Sequence, residues 1–310
     1  MKAIVIDRYG GSDELRVRDM PLPDLGPTDL MIEVFAASVN PVDWKIREGY
    51  LKESISYRFP LILGWDAAGV VSAVGPEVTR FSIGDEVFSR TDIRRNGTYA
   101  EFVAVDEKYV ARMPANLSFE EAASVPLVGL TAWQALVDLA GVTEGNRVLI
   151  HAGSGGVGSF AVQLAKSRGA SVTTTCSTPH LSFVRSLGPD QIIDYTRADF
   201  REMRNVDIVF DTVGGEVYRD SFQVVKPNGV LVSILEQPDR EHMEKTGVRA
   251  LYLFMKSDGR ELAQIAELLE KGKIRPTVGR TFPLEEVRKA HEMSASRHAE
   301  GKIVLQVKEG

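Results

Sequence analysis

Arg147-Val148-Leu149-Ile150-His151-Ala152-Gly153-Ser154-Gly155-Gly156-Val157-Gly158-Ser159-Phe160-Ala161-Val162-Gln163-Leu164-Ala165-Lys166 is the stretch that decides the fold. The apolar run Val148-Leu149-Ile150 predicts a buried strand, the glycines predict a sharp turn, and the apolar residues from Phe160 onward predict a helix. A G-x-G-x-x-G pattern alone is weak, since it occurs by chance. Here a strand precedes it and a helix follows. In that context Gly153, Ser154, Gly155, Gly156, Val157 and Gly158 are expected to bind a dinucleotide. The glycines let the backbone approach the pyrophosphate, and the N–H groups that open the helix meet its charge.

The next strand decides between the two nicotinamide cofactors, because an NAD site usually ends it with a carboxylate for the ribose 2′-hydroxyl. This chain has Thr175-Cys176-Ser177-Thr178-Pro179-His180 there, without an acid. Two hydroxyls, on Ser177 and Thr178, can donate to a 2′-phosphate, and His180 or Arg185 can add positive charge. NADP(H) is therefore the expected cofactor. The plain alternatives are an ordinary loop for Ser177 and Thr178 and a surface helix position for Arg185.

Outward from the turn, strand-like runs at 147–151, 171–175, 191–194, 206–210, 229–233 and 248–253 alternate with helix-length segments. That rhythm predicts a parallel sheet covered by helices on both faces, and six strands complete a dinucleotide fold. Residues before about 121 read differently, as short strands at 31–34, 68–71, 86–88 and 100–105 punctuated by Gly and Pro. Ser118, three residues before Glu121, predicts a capping box where the rhythm changes. After a helix carrying Leu262, Ile265, Ala266, Leu268 and Leu269, a strand at 303–307 closes the chain, and 258–310 is expected to rejoin the first lobe.

Composition narrows the function. With 44% hydrophobic residues among 310, the chain can bury the cores of two domains. The 37 basic and 43 acidic side chains give a formal charge of −6, which argues against a nucleic-acid partner. Met1-Lys2-Ala3-Ile4-Val5-Ile6 runs into Asp7 and Arg8 before it makes a signal-peptide core, and no run reaches the roughly 18 apolar residues of a membrane span. A cytoplasmic protein with no membrane contact is expected. Cys176 is the only cysteine, which excludes an intrachain disulfide and any zinc site built from several thiolates.

Several motifs together carry a resemblance. They are Asn40-Pro41-Val42-Asp43, Gly64-Trp65-Asp66-Ala67-Ala68-Gly69-Val70, Gly84-Asp85-Glu86-Val87, Leu130-Thr131-Ala132, the glycine turn, Asp194-Tyr195, Asp211-Thr212-Val213-Gly214-Gly215 and Gly301-Lys302-Ile303-Val304-Leu305. Over nearly its whole length the chain resembles the zinc-free quinone and enone oxidoreductase branch of the medium-chain dehydrogenase/reductase superfamily. The resemblance implies an α/β fold with a GroES-like β-rich catalytic domain, residues 1–121 and 258–310. A Rossmann NADP(H)-binding domain, residues 122–257, would hold a doubly wound parallel six-stranded sheet.

The resemblance also places Asn40, Trp65 and Leu127 where zinc-dependent relatives carry their catalytic metal ligands. Neither tryptophan nor leucine ligates zinc, and no HExxH or CxxC replaces them, so no metal is expected. Without a Lewis acid, hydride transfer to a quinone or an α,β-unsaturated carbonyl remains feasible, because charge delocalises onto an oxygen that donors can stabilise. By similarity Asn40 and Lys45 are the catalytic candidates and also face the nicotinamide end of the cofactor. Their plain alternatives are a turn-forming Asn-Pro and a solvated side chain. Thr131, Tyr195, Val213, Gly214, Ser233, Ile234, Leu235 and Met255 are expected to line the cofactor. Cys176, His291 and His298 are expected to be structural. Tyr50, Tyr57 and Tyr99 are more often packed aromatics than cleft residues.

Two functions stay open. One is NADPH-dependent reduction of a small-molecule quinone, enone or enal. The other is a non-catalytic NADPH-binding sensor or structural protein. A homodimer is expected, because the sixth strand would otherwise leave an apolar edge uncovered.

Overall fold

The structure, a computed structural model, describes residues 1–296 and 299–309. It contains two compact units: Met1–Leu127 with Ser257–Glu270 and Pro276–Gly310, and Val128–Lys256 with Lys271–Arg275. His298 lies outside the described residues.

The second unit is built on six strands: β1 (Arg147–Ile150), β2 (Ser171–Cys176), β3 (Gln191–Asp194), β4 (Val206–Asp211), β5 (Val225–Ser233) and β6 (Arg249–Tyr252). Their order is β3-β2-β1-β4-β5-β6, and every neighbouring pair is parallel. Parallel neighbours need crossovers. Helices Gly156–Ser167, Leu181–Ser186, Gly215–Ser221 and Arg240–Thr246 supply four of them. Val148, Leu149 and Ile150 are buried, as a central strand covered on both faces must be. The Gly156–Ser167 helix buries Phe160, Ala161, Val162, Leu164 and Ala165. Tyr218 and Phe222, from the Gly215–Ser221 helix and the residue that ends it, pack with Val209 and Leu231. Each such large side chain contributes about 1.5–3 kcal/mol by burial.

β5 begins four residues before its expected start. Val206 pairs with Val225 and Ile208 with Val230, so a register shift absorbs Lys226-Pro227-Asn228-Gly229. Asn228 takes the left-handed region, at φ 63°. Those turn-forming residues read as a loop in the sequence, whereas here they form an irregularity within a strand.

In the first unit the strand Asp29–Val39 organises the main sheet. One edge pairs with Asp66–Val74 throughout. The other edge is shared, with Phe102–Asp106 beside its first half and Lys302–Gln306 beside its second. The chain's last strand is thereby set next to Asn40. A smaller sheet joins Arg16–Asp19, Lys2–Ile6 and Leu61–Ile62. Trp65 and Tyr99 are fully buried in the core between these elements, among Ile4, Ile6, Leu30 and Ile32. Ser118 and Glu121 form the expected reciprocal cap on the Phe119–Ala123 helix. Among the described residues no helix is long and apolar enough to cross a membrane.

Candidate cofactor and active site

In a parallel sheet all strands end on one edge, and ligands bind there, beside the point where the strand order reverses. The order here reverses between β1 and β4. The glycine turn follows β1, Ser177 and Thr178 follow β2, and Tyr195 follows β3. Val213 and Gly214 come just after β4, Ile234 and Leu235 just after β5, and Met255 after β6. Residues chosen one by one from the sequence thus share one edge. Within this unit Thr131 is the exception, buried on the helix Pro126–Trp133 ahead of β1, and Asn40 and Lys45 belong to the first unit.

The turn is anchored from below. Gly153 N–H donates to Thr175 O at 2.9 Å, Ala152 N–H to Thr175 Oγ1 at 3.0 Å, and Thr212 Oγ1 to His151 O at 2.9 Å. Burial pulls the His151 imidazole down to about 4, against the pull of Asp211, so the ring is neutral at physiological pH. It contacts Ser221 Oγ at 3.0 Å. The helix opens at Gly156 with Gly155 as its N-cap, so the first N–H groups lack helical acceptors. A Cβ on Gly158 would lie 2.1 Å from Ala152 O, which makes that glycine a requirement of helix packing. A Cβ on Gly155 would meet only Ala152 O, at an ordinary 3.5 Å. Space on the protein side therefore does not explain a glycine at 155.

At the end of β2 the structure adds what the sequence reading lacked. Thr178 Oγ1 donates to Asp194 Oδ2, so its hydroxyl proton is committed to the protein. Asp194 ends β3, and its carboxylate also accepts from Thr196 N–H at 3.0 Å and Thr196 Oγ1 at 2.7 Å. These hydroxyls hold its carboxyl below the usual range. Arg197 Nε lies 3.8 Å from the same carboxylate. An acid is thus present near the β2 end after all, but its carboxylate is engaged by Thr178 and Thr196, with an exposed guanidinium beside it. Arg197 is the cation that sequence reasoning missed, and Arg185 is exposed on the helix Leu181–Ser186. Cys176 is buried, which raises its thiol and fits a packing role. At β4 and β5, Asp211 accepts from Val213 and Gly214 N–H, both at 2.9 Å, and from Ser233 Oγ at 2.7 Å. Ser233 Oγ in turn accepts from Leu235 and Glu236 N–H. Its side chain turns inward and shapes the loop that carries Ile234 and Leu235.

In the first unit Asn40 sits at the centre of a buried polar cluster. Its Nδ2 donates to Asp66 Oδ2 at 2.8 Å, and its Oδ1 accepts from the Lys302 ammonium. Asp66 Oδ1 accepts from Leu127 N–H at 3.1 Å, and Asp66 Oδ2 also accepts from Ser38 Oγ at 3.0 Å. The carboxylate therefore gathers Asn40 and Leu127, two of the three positions matched to metal ligands. The third, Trp65, is the residue before Asp66 and donates its Nε1–H to Arg95 O at 3.1 Å. Arg90 Nε is 3.9 Å from Asp66 Oδ1, and its guanidinium faces the Trp65 ring at 5.9 Å.

Asp43 Oδ2 accepts from Asn40 N–H and from Tyr99 O–H, each at 2.8 Å, and burial pushes its carboxyl up to about 6. His291 closes this side of the cluster, 3.0 Å from Arg47 and 3.3 Å from Tyr99 OH. Burial, helped by Arg47, takes its imidazole down to about 3. His291 and Tyr99 are therefore packed, hydrogen-bonded core residues, while Tyr57 donates to Ile93 O and Tyr50 is exposed. Lys45 is half-buried on the Pro41–Arg47 helix, with Nζ 5.8 Å from the Trp44 ring centroid. Among the described residues no three His, Cys, Asp or Glu side chains are grouped to hold a metal.

Residues 26–115 match the family "Alcohol dehydrogenase GroES-like domain", and residues 187–305 match "Zinc-binding dehydrogenase". The chain is 36% identical to the mitochondrial NAD(P)H oxidoreductase RTN4IP1 of Mus musculus, covering 99% of this chain and 89% of that protein. It is 36% identical to the chloroplastic NADPH-dependent alkenal/one oxidoreductase of Arabidopsis thaliana, over 98% of this chain and 79% of that one. The solved quinone oxidoreductase of Coxiella burnetii superposes with a TM-score of 0.91 at 36% identity, covering 99% of both chains.

Proposed function

The chain belongs to the medium-chain dehydrogenase/reductase superfamily, and from that premise we propose that it is an NADPH-dependent oxidoreductase that reduces a quinone or an α,β-unsaturated carbonyl without zinc. One observation carries the metal-free part. Where a metal would need ligands, the Asn40 amide oxygen already accepts from an ammonium and is not free to coordinate. The residues do not fit the zinc that one matched family is named for. The names of relatives support NADP(H) as the cofactor and a quinone or enone as the acceptor.

In this reading the second unit binds NADP(H) and the first carries the catalytic side chains. Bound NADPH would supply the hydride, and water or a nearby donor the proton that completes the reduction. N–H groups opening the Gly156–Ser167 helix bind the pyrophosphate, while Ser177, His180 and Arg197 hold the 2′-phosphate. Thr131, Ile234, Leu235 and Met255 line the nicotinamide. Asn40 and Lys45 donate to the acceptor oxygen as charge builds on it.

The test is NADPH oxidation with a panel of quinones and enones in the presence of a chelator. Turnover that survives chelation, in a protein carrying no stoichiometric zinc, is the expected result. A protein that holds NADPH yet turns nothing over would instead be the non-catalytic binder, and one tightly bound zinc per chain would overturn the metal-free reading.

NADPH should bind more tightly than NADH by about tenfold or more, a difference of about 1.4 kcal/mol. Ser177→Asp should shift the preference toward NADH, and Arg197→Ala should weaken NADPH alone. Equal affinities for both nucleotides in a fluorescence titration would remove the 2′-phosphate assignment. Among the described residues β6 pairs only with β5 and is an edge strand, which supports a homodimer formed by pairing that edge with its twin. Light scattering at micromolar concentration should return the mass of two chains, and a single-chain mass would contradict it.

A further inference from the structure

Resting on the reading of Asn40 as an active-site amide, we propose that Asp66 and Lys302 are positioning residues: they clamp the Asn40 amide in one orientation and leave a single N–H to donate to the acceptor oxygen.

The chemistry of the partners sets the orientation. An ammonium has only donors and an ionised carboxylate only acceptors. With Oδ1 on Lys302 and Nδ2 on Asp66, the amide makes two charge-assisted bonds. Flipped by 180°, it would set its NH2 against the ammonium and its carbonyl against the carboxylate. The three side chains are 1%, 0% and 4% exposed for Asn40, Asp66 and Lys302, so water does not relieve the wrong arrangement.

The clamp is itself fixed from several segments. Lys302 Nζ also donates to Val39 O at 3.1 Å and lies 3.7 Å from Asp66 Oδ2. Asp66 is held by Ser38 and by the Leu127 N–H. Burial pulls the Lys302 ammonium down, and Asp66 and Asp43 oppose that pull. Arg90 adds a second buried cation beside Asp66, so two cations and two carboxylates, Asp43 and Asp66, face one another.

What remains is one hydrogen. Nδ2 carries two, Asp66 takes one, and no described residue takes the other. A buried N–H without a partner is unfavourable unless a ligand claims it. Asn40 is thereby a donor to bound acceptor, and its carbonyl oxygen is reserved for Lys302.

A double-mutant cycle tests whether Lys302 acts through Asn40. With saturating NADPH and an α,β-unsaturated ketone, Lys302→Met should lower kcat/KM for the ketone by roughly tenfold or more. NADPH affinity should be unchanged. In an Asn40→Ala background the same substitution should change nothing further. An equal loss in both backgrounds would overturn the proposal.

Removing one member of a buried pair also destabilises the fold, so Lys302→Met combined with Asp66→Asn, which removes both charges, is the control. Its melting temperature should recover while kcat/KM stays low. Recovery of both together would reduce the pair to a structural role and overturn the assignment. A readout independent of turnover is the Asn40 side-chain amide signal in 15N-labelled protein. It should exchange slowly in the unaltered protein and faster in Lys302→Met, whereas identical exchange would contradict the clamp. If the unaltered protein reduces no acceptor, the functional reading fails, and this signal still decides whether the clamp exists.

Discussion

Gly155→Val will weaken NADPH binding by roughly 100-fold, about 2.7 kcal/mol, and cost only about 1 kcal/mol of stability through the poorer helix N-cap. The backbone at 155, with φ −75° and ψ 166°, is extended and suits a β-branched residue. The new Cβ meets the protein only at 3.5 Å. On the proposed reading, its methyls occupy the space through which the pyrophosphate approaches the backbone. Gly158→Ala should behave oppositely. Its Cβ would overlap Ala152 O at 2.1 Å, and neither backbone segment can move without tilting the helix from β1. A loss of about 3 kcal/mol of stability, with cofactor binding failing as a consequence, is expected. Thermal melts alongside nucleotide titrations separate the two. If Gly155→Val keeps full NADPH affinity, the phosphate site does not lie on this turn.

Lys45→Ala is expected to lower kcat and kcat/KM together by roughly 10- to 100-fold, about 1.4–2.7 kcal/mol of transition-state stabilisation. The side chain is half-buried beside the Trp44 ring, on the helix that begins directly after Asn40. A cation next to a low-dielectric surface stabilises charge on an acceptor oxygen more than one in bulk water does. Should Lys45 hold the cofactor instead, NADPH binding weakens while the rate at saturation is preserved. Single-turnover hydride transfer with both ligands saturating distinguishes these outcomes. An unchanged rate with unchanged affinity would return Lys45 to an ordinary surface role.

The sequence was most informative where local pattern and fold agree. β1 and the Gly156–Ser167 helix were legible because an apolar run, a glycine turn and a helical apolar face succeed one another within 20 residues. β5 was read short because Pro227, Asn228 and Gly229 are turn formers, and only pairing with β4 holds them in a strand.

The Asn40 cluster was half legible. Asn40 stood out by its motif, and Asp66 and Lys302 were part of quoted motifs, but nothing local ties Lys302 to a residue 262 positions away. That link is made by strand pairing, which brings Lys302–Gln306 alongside Asp29–Val39. Thr178 illustrates the same limit at shorter range. Its hydroxyl suggested a phosphate donor, yet a carboxylate 16 residues later takes its proton, because β2 and β3 end side by side.

The most direct test of the central claim is hydride transfer followed by isotope. NADPH carrying deuterium at the transferable C4 position is incubated with the protein, an α,β-unsaturated ketone and a chelator, and the saturated product is analysed by mass spectrometry. One deuterium per product molecule, with one NADPH consumed for each, is the predicted result. NADPH that stays bound and intact, with no deuterium in the ketone and no quinol formed from a quinone, would contradict the account.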